Sequence, residues 1–135
     1  MKKIIYTLTA TLLLISPLSA NQTQRAQLAS DMRSMLAAME MIQKGGFYSK
    51  KEMMQKGVTD LKRGLHSLKS SDAKEYLPQD KAYADKFAQK RANMIEMYAN
   101  DLISSLERNN MDDALEDYTQ MLKQCTSCHS RIRKY

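Results

Sequence analysis

Apolar residues recur every three or four positions along most of the chain after residue 20, which is the spacing of the buried face of an α-helix. The four stretches with this pattern cover residues 28–42, 54–68, 83–106 and 115–132, with Tyr83 at the start of the third. No convincing alternation of apolar and polar residues favours a β-strand. Four helices of similar length with mostly short connections predict an all-α fold, an antiparallel up-down four-helix bundle.

Glycines and capping residues suggest where these helices end. Gly45 and Gly46 are expected to end the first helix, because glycine enters the left-handed conformation at little cost. Asn110 is expected to cap the fourth helix by accepting a hydrogen bond from a free backbone N–H. Gly57 and Gly64 lie beside the apolar face of the second helix. They either allow a neighbouring helix to approach closely or are simply tolerated there.

Residues 1–20 have the layout of a secretory signal peptide. Lys2 and Lys3 give a positive start, an apolar run follows, and small residues lead to an expected cleavage after Ala20. An uncleaved membrane anchor is the alternative, although the apolar run is short for a membrane span. We therefore expect one domain over residues 21–135, a periplasmic location and no stable membrane insertion.

Charge contributes less to the functional interpretation. The formal net charge is +6, and the lysines and arginines are spread along the chain. They form no basic recognition helix and accompany no aromatic-rich strand, so no nucleic-acid partner is expected.

The segment CTSCHS at 125–130 contains both cysteines of the chain and one of its two histidines. Spacings of three and four residues place Cys125, Cys128 and His129 on one face of the fourth helix. A disulfide this short would be strained, and a structural zinc site would have only His66 to complete it. A thioredoxin-type dithiol would follow a strand and open its helix. Covalent haem meets these constraints, with two thioether bonds and a histidine on the iron. Two buried structural cysteines beside a capping histidine are the remaining alternative.

At this point the chain resembles the class II c-type cytochromes, the group of the cytochromes c′ and the cytochromes c556. Their pattern is a signal peptide, a four-helix bundle and C-x-x-C-H close to the C-terminus. In CTSCHSRIRK, Cys125, Cys128 and His129 match the family ending directly. Arg133 matches an arginine expected to help place the haem, and Ile132 stands where the family has an aromatic residue. The resemblance implies one covalently attached haem c with His129 as the proximal iron ligand.

The family divides on what faces the other side of the iron. In the c556 group a methionine on the first helix coordinates the iron, whereas the cytochromes c′ leave that position open to small gases. Met32 is the expected distal ligand, because it lies toward the start of the first helix and faces the haem-bearing end of an antiparallel fourth helix. Met35 is the next candidate, and Met39 is expected to lie too far along. Core packing is the alternative for all three methionines.

The expected function is therefore one-electron transfer by an exported monohaem cytochrome that is not an enzyme and has redox proteins as partners. A five-coordinate protein that binds nitric oxide or carbon monoxide is the second hypothesis. A haem-free helical protein that uses its cysteines as a thiol or metal site is the third. Homodimer formation through helix faces is left open.

Overall fold

Four α-helices account for nearly all of the chain described by a computed structural model, which covers residues 18–70 and 81–132. In chain order they are α1 (Leu18–Phe47), α2 (Lys51–Ser70), α3 (Lys81–Glu107) and α4 (Met111–Ile132). Most of the expected signal peptide lies outside the described residues, and α1 includes only the last three residues before the expected cleavage site. Within the described ranges, no helix combines the length and apolar character that a membrane span requires.

The helices pack as a four-membered ring in which each contacts the next in sequence and α4 returns to α1. This arrangement confirms the predicted all-α, antiparallel up-down bundle. The contact between α1 and α2 is the most extensive, and that between α1 and α4 is the least. Large side chains from all four helices fill the interior and are almost completely removed from solvent: Ile42, Met54, Val58, Leu61, Leu65, Leu102, Leu106 and Met121.

Gly57 and Gly64 lie where α2 packs closely on α1. A Cβ atom at Gly57 would lie 2.6 Å from Ile42 Cγ1 and 2.9 Å from the backbone oxygen of Ala38. A Cβ atom at Gly64 would lie 2.3 Å from Met35 Cγ. Carbon atoms normally pack at about 3.5–4.0 Å, so no larger residue fits without movement. Of the two interpretations of these glycines, the structure supports close helix approach.

The first helix ends differently from the prediction. Gly45 and Gly46 are helical, α1 continues to Phe47, and the positive φ of 51° belongs to Ser49. The N–H of Lys50 donates to the Gly45 carbonyl at 2.8 Å, and the N–H of Ser49 donates to the Gly46 carbonyl at 3.2 Å. These two bonds form a Schellman motif. The glycines are instead needed for packing, because Cβ atoms there would lie 2.6 Å from side-chain atoms of other helices.

The junction between α3 and α4 follows the prediction. Asn109 adopts a φ of 60°, and the N–H of Asn110 donates to the Ser105 carbonyl at 2.9 Å, so a second Schellman motif ends α3. Asn110 Oδ1 then accepts a hydrogen bond of 3.2 Å from the N–H of Asp113. Asn110 is therefore the N-cap of α4, as the sequence indicated. The tight turn sets α4 antiparallel to α3.

The buried face of α3 begins with small residues rather than aromatic ones. Tyr83, expected at the start of this face, is 64% exposed. Ala84 and Ala88 are buried in its place and contact Cys128 of α4, with Phe87 packed at the side of this group. The prediction for Tyr83 was wrong because aromatic side chains dominate a hydrophobic pattern, whereas the close packing of α3 on α4 selects alanine.

Candidate functional site

A cavity of about 150 Å³ lies between the helices where the C-terminal half of α4 faces α1. On the α4 side it is lined by Cys125, Cys128 and His129, which the sequence placed on one helix face. Leu36 of α1 and Leu122 of α4 line it as well, and both are substantially exposed. The weak contact between α1 and α4 therefore coincides with the side of the bundle that carries the cysteines and the histidine.

The two cysteines have different surroundings although they are one helical turn apart. Cys128 is buried against Ala84 and Ala88 of α3. Cys125 is half-buried and packs against the main core of the bundle. His129 is also half-buried at the cavity wall. Both thiols are free, and both side chains are held by helix packing rather than by a disulfide.

Burial keeps both thiols protonated at neutral pH. Desolvation, with a smaller effect of Cys128, raises the pKa of Cys125 to about 11. Desolvation also raises the pKa of Cys128, although the charges of Arg91 and Arg131 act in the opposite direction. Reactive redox dithiols and zinc-bound cysteines act as thiolates, which need a lowered thiol pKa. The environment of this pair therefore argues against a thioredoxin-like dithiol.

A protein-bound zinc site receives no support from the geometry. The described residues contain no group of three or more histidine, cysteine, aspartate or glutamate side chains placed to hold a metal ion. His66, the histidine considered for such a site, is exposed on α2 and does not line the cavity. Arg133, expected to help place a haem, lies outside the described residues.

Three methionines of α1 face the cavity from the side opposite the cysteines. Met35 and Met39 are buried in the main core, and Met32 is half-buried and packs against that core. All three line the cavity. Met39 therefore lines the same cavity as Met32 and Met35. The cavity wall thus brings thioether sulfur from α1 close to thiols and an imidazole from α4.

Arg91 of α3 is a cavity residue that the sequence interpretation missed. Its Nη1 donates to Gln124 Oε1 of α4 at 2.6 Å, and its guanidinium carbon lies 5.0 Å from the centre of the Phe87 ring. Its Nε is the one buried side-chain nitrogen or oxygen, among the described residues, that lacks a hydrogen-bond partner. A signal was present in the sequence, because Arg91 stands between Phe87 and Ile95 at the four-residue spacing of the apolar face.

The cavity therefore collects two protonated thiols, one imidazole, three thioethers and one guanidinium in a largely apolar wall. Comparison of the chain with protein-family models, with curated proteins and with solved structures gave no match. The function is therefore inferred from the chemistry of these side chains.

Proposed function

We propose that this protein is an exported monohaem c-type cytochrome of the class II kind, which carries single electrons. Cys125 and Cys128 bind one haem c through thioether bonds, and His129 is the proximal iron ligand. The observation that carries the proposal is the cavity wall, where both thiols and the imidazole of C-x-x-C-H face the methionines of α1. A structural pair of cysteines would not require these other donor groups to converge on the same cavity.

Covalent attachment needs two cysteines that are not tied up in a disulfide, and both thiols are free. Each S–H group adds across one vinyl double bond, so that a carbon–sulfur bond forms and the proton goes to the neighbouring vinyl carbon. The addition needs no oxidant or reductant. Because oxidation proceeds through the thiolate, the raised pKa of Cys125 and Cys128 makes premature oxidation of the pair slow. Once attached, haem supplies an iron that changes its charge by one electron.

The size of the cavity requires the bundle to open when haem binds. Its volume of about 150 Å³ is below the range of about 300–1,000 Å³ that small-molecule and cofactor pockets usually have. The contact between α1 and α4 is the least extensive in the ring, so separation of these helices costs the fewest interactions. The exposed side chains of Leu36 and Leu122 lie along this cleft and gain an apolar partner.

Met32 is the proposed distal ligand. Met35 and Met39 are buried in the core, and Met35 lies directly against the position where Gly64 lacks a Cβ. Met32 is only half-buried, so its side chain can turn toward the iron with the least disturbance of the core. A neutral thioether ligand favours the reduced iron and raises the reduction potential.

Electron transfer would occur through the haem edge at the cleft between α1 and α4. Lys123 and Arg131 are exposed on α4 and give this end of the helix a positive surface. A redox protein with an acidic patch is therefore the proposed partner, since opposite charges accelerate association. In this proposal the protein works in the periplasm and is not itself an enzyme.

A five-coordinate cytochrome that binds nitric oxide or carbon monoxide is the second candidate function. One observation favours it, because all three cavity methionines pack against the core and could remain packing residues. The two candidates differ only in whether a thioether reaches the iron.

Absorption spectra of the protein produced in a host with cytochrome c maturation test both candidates. The electron carrier is expected to be low-spin, with spectra that carbon monoxide does not change after reduction. Met32→Ala should then become high-spin and bind carbon monoxide at once. Met41→Ala is the matched control, because Met41 is also half-buried on α1 but does not line the cavity. A high-spin unaltered protein that binds carbon monoxide would favour the gas-binding function. A chain that carries no haem on a denaturing gel would refute both the electron carrier and the gas-binding cytochrome.

A further inference from the structure

The guanidinium of Arg91 has hydrogen-bonding capacity that no residue within 18–70 or 81–132 uses. Its Nε is buried and finds no hydrogen-bond partner in the described part of the chain, although a buried N–H group is normally satisfied. The residues that line the cavity include no aspartate or glutamate within the described chain, and α1 and α2 contribute only apolar side chains to it. Arg91 therefore brings a positive charge to a cavity whose described lining offers it no negative partner, and its buried Nε lies beside that cavity without a hydrogen-bond partner among the described residues.

Two contacts hold this guanidinium in position. Gln124, which is itself buried, accepts a hydrogen bond of 2.6 Å from Nη1. The face of Phe87 lies 5.0 Å from the guanidinium carbon of Arg91 and 4.3 Å from that of Arg131. Cation–π contacts and a short hydrogen bond restrict the side chain to one orientation at the cavity wall. A donor that is fixed before its partner arrives binds that partner without a further ordering cost.

We propose that Arg91 is an anion-binding residue of the cavity and that it binds a carboxylate of the group that occupies it. The inference rests on the proposed function, in which the occupant is haem and the carboxylate is one of its propionates. Arginine suits this task because its planar donors match the two oxygens of a carboxylate. The paired charge also completes the hydrogen bonding of the buried Nε.

The pH dependence of the reduction potential reports on this contact. A guanidinium at hydrogen-bonding distance lowers the pKa of a carboxyl group by about one to three units. Protonation of a propionate removes negative charge near the iron and raises the potential, so the potential shows a step at the propionate pKa. Among the described residues, the other titratable or charged groups that line the cavity or contact Phe87 are Cys125, Cys128, His129 and Arg131, all on α4. The proposal assigns the cysteines and His129 to haem, so they add no step in the mildly acidic range.

Arg91→Gln in the haem-loaded protein is the test, with the potential measured between pH 4 and pH 8. The step should move upward by about one to three pH units, and the potential at neutral pH should fall because a positive charge is lost. Arg131→Gln is the matched control, since Arg131 contacts the same ring but is exposed. It should leave the step where it is. Arg91→Lys retains the charge without the planar donors, and its step should lie between those of the wild type and Arg91→Gln.

The outcomes separate this inference from the proposed function. A wild-type chain without covalent haem would refute the proposed function before Arg91 is tested. A fully haem-loaded Arg91→Gln variant whose step coincides with that of the wild type would overturn the role of Arg91 and leave the cytochrome function intact. Should Arg91→Gln fail to fold, Arg91→Lys is measured instead. A step in its potential at the same pH as in the wild type would then overturn the role of Arg91.

Discussion

Gly57→Ala adds one methyl group where α2 packs on α1, and the structure allows its effect to be worked out. The new Cβ would lie 2.6 Å from Ile42 Cγ1, about 1 Å inside normal contact distance. It would also lie 2.9 Å from the backbone oxygen of Ala38 and 3.1 Å from the backbone nitrogen of Ile42. Ile42 is completely buried, so neither its side chain nor the backbone of α1 can yield locally. The two helices must move apart.

Two opposing terms determine the size of the effect. Alanine is more favourable than glycine inside a helix by ~1 kcal/mol. Over-packing of a core costs ~1–3 kcal/mol, and the upper end applies here because backbone atoms are among the neighbours. The net loss should therefore be ~2 kcal/mol, which lowers the melting temperature of a domain of this size by ~6–10 °C.

Urea denaturation followed by circular dichroism at 222 nm measures this loss, and Gly64→Ala provides the comparison. At Gly64 the new Cβ would contact Met35 Cγ at 2.3 Å, whereas the nearest backbone atom is 3.4 Å away. The close contact at Gly64 is with a side chain that borders the cavity rather than with backbone, so the net change should be smaller than at Gly57 and stay within ~1 kcal/mol. All proteins are compared at equal haem content, because a bound group adds its own stability. A Gly57→Ala variant as stable as the wild type would refute the reasoning. So would a Gly64→Ala variant that loses more stability than Gly57→Ala.

Three further substitutions test local electrostatics and capping, each by urea denaturation. Asn110→Ala removes the acceptor for the Asp113 N–H and should cost ~1 kcal/mol, whereas Asn110→Ser should retain most of the stability. Burial raises the pKa of Asp117, so its ionised form destabilises the fold. Asp117→Asn should therefore be more stable than wild type at pH 7, with a gain that disappears as the pH falls below the ordinary aspartate pKa. The Lys69 ammonium lowers the pKa of Glu96, so Glu96→Gln should lose ~0.5 kcal/mol at neutral pH and nothing in acid, where the wild-type carboxylate is protonated. For Asp117→Asn or Glu96→Gln, a difference in stability from wild type that stays the same at every pH would contradict the prediction for that variant.

The sequence alone was sufficient for features that depend on residues close together in the chain. The helical periodicity, the N-cap at Asn110 and the common face of Cys125, Cys128 and His129 each involve positions within about four residues of one another. Helix geometry places such neighbours without reference to the rest of the fold. For the same reason the four-helix architecture could be predicted from the apolar spacing and the mostly short connections.

Local patterns misled where packing decided the role of a residue. Gly45 and Gly46 looked like a helix stop, yet they are helical and make room for side chains of other helices. Tyr83 looked like a core residue, yet the close packing of α4 on α3 buries Ala84 instead. Hydrophobicity and conformational preference describe a residue by itself, whereas close approach depends on the partner surface, which lies far away in the sequence.

The tertiary structure alone decided how the candidate site is assembled. The cysteine motif identified one wall of the cavity, but the methionines that form the opposite wall are distant in sequence and were known only as three alternatives. Arg91 reaches the same cavity because α3 packs beside α4 and Gln124 orients its guanidinium. The unsatisfied Nε could not be foreseen, since a missing partner is a property of the folded surroundings. Sequence determines which chemistry a helix presents, and the packing of helices determines which of those groups meet.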